Sequence, residues 1–325
     1  MPEPLRLAFL GCGFITRVHS RNLRRLGRRQ IAVSYASRDR ARAEAYCRRY
    51  GGTTSYGDYD AALADPNVDA VLIAVPPKYH LDLTLRALAA GKHVIVEKPA
   101  FPALADYKTA AAARDRAGRV VLVGENDHYK PLAVQLRRLL AEGVVGDMLF
   151  AHFVTIARRF KTADDWRNDE TLAGGDAFFE EGIHWLHFAG SLGPRIVRIE
   201  GLRPNVAADS GDRRAKSMMV AFQYDNSAAG SLYYSREIPS LLKGMRQSKI
   251  YGRKGIITFE SNGLFVLARG QFLPRVIWPG ITDFRGYRAM YRDFLHAIRS
   301  RQSPEMSIER AMDDQRLMDQ VYASL

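Results

Sequence analysis

Lys98 stands at the end of the apolar run His93-Val94-Ile95-Val96, between Glu97 and Pro99. An amine launched from a hydrophobic strand is either solvated or held beside a ligand. Partly buried, it serves as an acid/base group or as a cation that polarises a carbonyl oxygen. Pro99 after it admits a cis peptide bond. Far upstream, Gly11-Cys12-Gly13-Phe14-Ile15-Thr16 follows the first apolar run. At a strand-to-helix turn, Gly11 gives the tight bend and Gly13 lets a pyrophosphate reach the backbone. The helix N-terminus, with Phe14 and Ile15, then faces the negative charge. Thr16 stands where such loops usually have Gly or Ala, which sets the helix slightly farther from the strand.

A third group lies in the second half of the chain. Glu180 and His184 are four apart and share one face of a helix, and His187 is three further on. A carboxylate and an imidazole so placed form an acid/base pair. The rival readings are a structural histidine network and a zinc site. Zinc is poorly served by Glu/His/His without a nearby cysteine, and hydride transfer needs no metal, so no metal is expected.

The cofactor's second contact would fall at the end of the second strand, Tyr35-Ala36-Ser37-Arg38. An NAD enzyme usually has Asp or Glu there for the ribose 2′-hydroxyl. The first acidic residue is Asp39, which is placed to start the next helix. Ser37 and Arg38 instead offer a hydroxyl and a guanidinium, the groups a 2′-phosphate needs. NADP(H) is therefore the preferred cofactor, with NAD(H) the alternative. Glycine loop, strand-end lysine and acid/base helix together predict a redox enzyme in which Lys98 faces the reactive ring.

The elements that must position these groups follow two grammars. Up to residue 125, near-continuous apolar strands alternate with helices. The strands are Leu5 to Leu10, Ile31 to Ala36, Val68 to Val75, His93 to Glu97 and Arg119 to Gly124. This predicts a doubly wound α/β domain, a parallel sheet covered on both faces. From 126 to 325 the pattern is two-period. Met148 to Ile156 and the runs between Ile196 and Ala268 predict an α+β domain with a large, mainly antiparallel, open-faced sheet. The helix Phe178 to Leu192 carries the acid/base pair, and Tyr287 to Arg299 and Ile308 to Tyr322 close the domain. A sheet with an uncovered face predicts a homodimer or homotetramer through it.

Composition excludes several classes. Of 325 residues, 47% are hydrophobic, enough for a real core, and no apolar run approaches the ~20 residues of a membrane span. Two cysteines rule out a disulfide framework and suit a cytoplasmic location. The net charge of +13 asks for an explanation. Arg17, Arg21, Arg24, Arg25, Arg28 and Arg29 read as a solvated helix face without the aromatics a single-strand binder interleaves, so no nucleic-acid partner is expected.

The chain resembles the Gfo/Idh/MocA oxidoreductases, the glucose–fructose oxidoreductase and inositol dehydrogenase group. The resemblance rests on Gly11-Cys12-Gly13, Tyr56-Gly57-Asp58-Tyr59, Pro76-Pro77 with His80, Ala90-Gly91-Lys92-His93-Val94 running into Glu97-Lys98-Pro99, Trp166-Arg167, Gly174-Gly175 and Gly182-Ile183-His184. It implies a Rossmann domain and a sugar, polyol or related hydroxy/oxo substrate. Pro76, His80 and Glu97 join the cofactor site. Lys98 and His184 become the proton-handling pair. Glu180 stands where the family has Asp, and His187 where a second Asp is usual, a change that shifts the carboxylate by about a bond length. Asn126, His128, Tyr129, Arg158, Arg159, Lys161, Trp166 and His187 are candidates for the substrate cleft, and several cations there would favour an anionic sugar. A non-catalytic dinucleotide-binding regulator on the same fold is the competing reading.

Overall fold

The computed structural model describes residues 3–27, 29–158, 166–204, 216–239, 246–270, 273–280 and 282–325. They form two compact units, Met1–Asn126 with Tyr287–Met312, and Asp127–Gly286 with Asp313–Leu325. The first runs β1 (Leu5–Leu10), α1 (Phe14–Leu26), β2 (Ile31–Ala36), α2 (Arg40–Tyr50), β3 (Ser55–Tyr56), α3 (Tyr59–Ala64), β4 (Ala70–Ile73), α4 (His80–Ala89), β5 (His93–Val96), α5 (Leu104–Ala117) and β6 (Val121–Val123).

These strands make a six-stranded parallel sheet in the order β3-β2-β1-β4-β5-β6. The strands β4, β5 and β6 are buried almost throughout, which is why they read as unbroken apolar runs. Chain order reverses between β1 and β4, so the crevice at their carboxyl ends is the switch point where doubly wound sheets bind ligands. The glycine loop follows β1 and the Pro76-Pro77 turn follows β4, placing both at that crevice.

The second unit contains α6 (Pro131–Ala141), β7 (Met148–Ile156), α7 (Glu170–Ala173), α8 (Ala177–Gly190), β8 (Ile196–Leu202), β9 (Ser217–Tyr224), β10 (Ala229–Ser235), β11 (Gln247–Gly252), β12 (Gly255–Glu260), β13 (Val266–Arg269) and β14 (Arg275–Ile277). Eight strands pair in the order β14-β13-β12-β11-β7-β10-β9-β8. All pairs are antiparallel except β7 with β10. One face buries Phe153, Val220, Leu232, Ile250, Ile257 and Phe259 in a core with Phe178, Ile183 and Leu186 of α8. The other face keeps Phe150, Tyr233 and Leu267 exposed.

Two helices close the chain, α9 (Tyr287–Ser300) and α10 (Ile308–Ala323). The sequence placed both in the second domain. In the structure α9 packs with the first unit, against α1. Its apolar stripe, Tyr287, Met290, Tyr291 and Phe294, is buried, and the Tyr291 hydroxyl lies 2.7 Å from His19 Nδ1. The segment after Met306 stays with the same unit, where the Met306 carbonyl accepts the Val123 N–H at 2.9 Å.

Candidate functional site

In the first unit, the loop after β1 is shaped by what it cannot hold. Gly11 has φ +110°, and a Cβ there would stand 2.5 Å from the Ala74 carbonyl oxygen. Only glycine fits this close crossing of β1 and β4. Gly13 caps α1 without a side-chain hydrogen bond, and a Cβ on it would meet nothing within 4 Å. The first turn of α1 carries no acidic residue. An open backbone cradle at a helix N-terminus suits a pyrophosphate. Phe14 is exposed beside it and Ile15 half-buried.

The Thr16 side chain is buried, and its hydroxyl donates to the Gly11 carbonyl at 2.7 Å. The hydroxyl thereby ties the first turn of α1 back to the loop. The Tyr46 hydroxyl donates to the Gly13 carbonyl at 2.9 Å and holds the other end of the loop.

At the end of β2, Ser37 is buried and its oxygen accepts the Asp39 N–H at 3.2 Å. Asp39 in turn accepts the Arg42 N–H at 3.2 Å as the N-cap of α2. The first carboxylate after β2 is thus spent on a helix cap. Arg38 is exposed, and its charge offsets part of the rise that burial gives the Tyr59 hydroxyl. Arg42 is a cation that the sequence analysis did not single out. It lies close enough to Cys12 to oppose the burial that pushes that thiol up to about 12. Its signal was its position four residues after Arg38.

The turn after β4 and the end of β5 are tied together by His80. That ring is buried, with Nε2 2.8 Å from the Val75 carbonyl and Nδ1 2.9 Å from the Ala100 carbonyl. Burial lowers its basicity, against the raising effect of these carbonyls and of Glu97. It therefore fixes the backbone around Pro76 and Lys98 and is enclosed itself. Lys98 is half-buried at the carboxyl edge of the sheet, and the Lys98–Pro99 bond is cis. Glu97 is buried 2.6 Å from His19 Nε2, and Gly124 gives it room, since a Cβ there would come within 3.0 Å of its carboxylate. Asn126 is buried just beyond β6.

In the second unit, α8 is capped by Asp176, whose carboxylate accepts the N–H groups of Phe178 and Phe179. Glu180, on its first turn, accepts from Arg167 Nε at 2.7 Å. The Arg167 guanidinium lies over the Trp166 ring, 4.5 Å from its centroid. The longer glutamate is thus engaged by a cation on the segment before α8. His184 is half-buried one turn later, with one of its nitrogens within 4.8 Å of an Asp127 carboxylate oxygen. Asp127, bridged to Lys130 at 2.5 Å, was not foreseen, although it lies between two residues that were. His187 is buried, 2.9 Å from His128 and 2.8 Å from Asp314. Tyr129 is buried, Trp166 half-buried and Arg158 exposed. Arg159 and Lys161 lie outside the described residues.

A parallel sheet with a glycine cradle at its switch point defines a dinucleotide-binding domain. Comparison with known proteins agrees. Residues 5–125 match the oxidoreductase family with an NAD-binding Rossmann fold, and residues 133–258 match the GFO/IDH/MocA C-terminal domain. The chain belongs to the Gfo/Idh/MocA oxidoreductase family. It is 37% identical over 154 residues to an uncharacterized oxidoreductase of Rhizobium meliloti, a match spanning 47% of this chain and 45% of that protein. It is 27% identical over 307 residues to the NADP(+) D-xylose 1-dehydrogenase 2 of Haloferax volcanii, covering 90% and 89% of the two chains. The aldose-aldose oxidoreductase of Caulobacter crescentus, solved with glycerol, shares the fold with a TM-score of 0.87 at 21% identity, over 99% of this chain and 97% of that one. No helix among the described residues is long and apolar enough to cross a membrane.

Proposed function

We propose that this protein is an NADP(H)-preferring oxidoreductase acting on the CH–OH group of a sugar, polyol or related hydroxy/oxo compound. The observation that carries the reading is the half-buried Lys98 at the carboxyl end of β5, on the sheet edge that also presents the Gly11 cradle. The nicotinamide cofactor supplies a hydride acceptor or donor at its C4. Gly11, Gly13 and the first turn of α1 hold the pyrophosphate. Ser37 and Arg38, with Arg42, hold the 2′-phosphate. Lys98 and His184 handle the hydroxyl proton, and Glu180 orients His184. In the oxidising direction the substrate C–H bond breaks with its electron pair, and the O–H proton passes to the protein.

The substrate class is supported by the D-xylose dehydrogenase named above. Asn126, Tyr129, Arg158 and Trp166 are the proposed substrate contacts; His187, buried with Nδ1 on Asp314 and Nε2 on His128, is not among them. The exposed side chains on the outer face of the second sheet, Phe150 foremost, support a homodimer or homotetramer through that face.

Lys98→Ala tests the core of the reading. NADP(H) binding by fluorescence titration should persist while turnover of a sugar and polyol panel falls by on the order of 10²–10⁴-fold. Unchanged turnover would refute the role of Lys98.

A further inference from the structure

The glycine cradle is gripped from the side by a residue that the reading above leaves out of the cofactor site. Tyr46 lies on α2, one turn after Arg42 and on the same face. Its hydroxyl donates to the Gly13 carbonyl at 2.9 Å. The same carbonyl accepts the Arg17 N–H at 3.3 Å, at the start of α1.

Two bonds on one oxygen fix the plane of the peptide that joins Gly13 to Phe14. In a trans peptide the N–H points opposite to the C=O. The Gly13 carbonyl is turned towards Arg17 and Tyr46, so the Phe14 N–H is turned away from both, out of the helix end. It is one of the N-terminal donors that a helix cannot satisfy itself, and it has no partner among the described residues. Such donors are what a phosphate meets at a helix N-terminus. Gly13 has no side chain to hold this peptide. The cap makes no side-chain hydrogen bond, and a Cβ there would meet nothing within 4 Å. Glycine is the residue whose backbone turns most freely, so the Tyr46 bond removes a freedom the loop would otherwise have.

Tyr46 is itself held by rings. Its centroid lies 5.9 Å from that of Tyr35 and 5.6 Å from that of Tyr50, and Tyr35 stacks on Phe9 of β1 at 5.2 Å. The Tyr35 hydroxyl donates to Ser20 Oγ at 2.9 Å, and Ser20 donates to the Thr16 carbonyl at 2.7 Å. β2 and α2 therefore grip α1 at two places, Ser20 in its middle and the Gly13 carbonyl at its cap. Only the second grip orients a loop peptide.

We propose that Tyr46 is a positioning residue for the dinucleotide: its hydroxyl holds the Gly13–Phe14 peptide so that the Phe14 N–H faces the pyrophosphate before the cofactor arrives. The gain is preorganisation, since the donor need not be turned and ordered on binding. The pyrophosphate is common to NAD(H) and NADP(H). Tyr46 therefore raises affinity for both and leaves the choice between them to Ser37, Arg38 and Arg42. Its role rests on the dinucleotide reading of the Gly11 loop and is independent of the NADP(H) preference.

Tyr46→Phe removes the hydroxyl and keeps the ring. Isothermal titration of the full-length variant, its folding checked by circular dichroism, should show NADP(H) and NAD(H) weakened by the same factor, on the order of 3–10-fold. Ser20→Ala is the control. It cuts the other grip on α1 and leaves the Gly13 carbonyl bonded, so both affinities should stay near wild type. Wild-type affinities in Tyr46→Phe, an equal loss in Ser20→Ala, or a changed ratio between the two cofactors would each overturn the proposal.

The wild-type protein supplies a second measurement. In ¹H–¹⁵N correlation spectra the Phe14 amide proton should move downfield as NADP(H) is added, because it gains a phosphate acceptor. A Phe14 resonance that stays in place overturns the proposal even where the variant does not fold. A wild type that binds neither dinucleotide would instead sink the reading of the Gly11 loop itself.

Discussion

His19 and Glu97 meet at 2.6 Å inside the first unit, joining the first helix of the chain to the end of β5. The carboxylate accepts the hydrogen bond of the His19 Nε2–H, so His19 Nδ1 accepts from the Tyr291 hydroxyl. Burial and the nearby Glu97 charge both raise the phenol's pKa well above its ordinary value, so it stays a donor. The backbone that launches Lys98 is thus braced by two residues 272 apart in sequence.

Tyr291→Phe should therefore destabilise the first unit by roughly 1–3 kcal/mol, because it leaves a buried imidazole nitrogen without its donor. Urea unfolding followed by a first-unit probe measures the loss. A variant as stable as the wild type would mean that His19 finds its partner elsewhere.

Gly11→Ala should abolish dinucleotide binding. A methyl group at that position would stand 2.5 Å from the Ala74 carbonyl at a φ of +110°. The loop would have to move away from β4, and its donors with it. Isothermal titration with NADP(H) checks the loss, and an affinity close to wild type would show that the loop has another way to relax.

Ser37→Asp combined with Arg38→Ala should reverse the cofactor ratio in favour of NAD(H). The new carboxylate would accept from a ribose 2′-hydroxyl and repel a 2′-phosphate. The two kcat/KM values, measured side by side, decide it. Arg42→Ala alone should weaken NADP(H) while leaving NAD(H) unaffected.

Arg167→Ala should lower kcat and leave the KM for NADP(H) unchanged, since it releases the Glu180 carboxylate from its 2.7 Å contact on the helix that carries His184. Equal kcat values for variant and wild type would detach Arg167 from the chemistry.

His93 makes the first unit acid-sensitive. Burial, and then the charge of Arg119, lower its pKa from 6.5 to about 4. Its Nδ1 accepts the Val120 N–H at 3.0 Å, which protonation would forbid. Between those two values the unfolded chain binds a proton that the folded chain does not, so stability rises with pH across the window and is lost as pH falls through it. His93→Asn should flatten the dependence of the urea midpoint between pH 6.5 and pH 4.

Much of the fold was legible because its parallel strands are buried on both faces and announce themselves as apolar runs. Val94-Ile95-Val96 is one such run, and Lys98 after it could be placed at a sheet edge without coordinates. The two-residue strand β3 and the short β14 are too brief to carry a period. The parallel pairing of β7 with β10 could not be read either, since alternation reports a buried face and not the direction of a neighbour. Candidate site residues could be proposed where a short stretch carries the signal, as at Gly11 to Gly13 or Glu180 to His184. The site was illegible where partners are distant: Asp314 lies 127 residues from His187 in sequence. Arg17, Arg21, Arg24 and Arg25 of α1 are exposed, as is Arg29 beyond its end, and Arg28 lies outside the described residues.

The return of Tyr287–Met312 to the first unit sets an order on the ribosome. About 160 residues separate the two segments of that unit. At translation rates of ~5–20 residues per second, the early segment waits roughly 8–32 s for its closing helix. During that interval His19 lacks the hydroxyl of Tyr291, and the face of α1 that α9 will cover stays wet. The unit that opens with β1 is completed only once α9 has emerged, so nascent chains halted before residue 287 should be open to proteases and bound by chaperones.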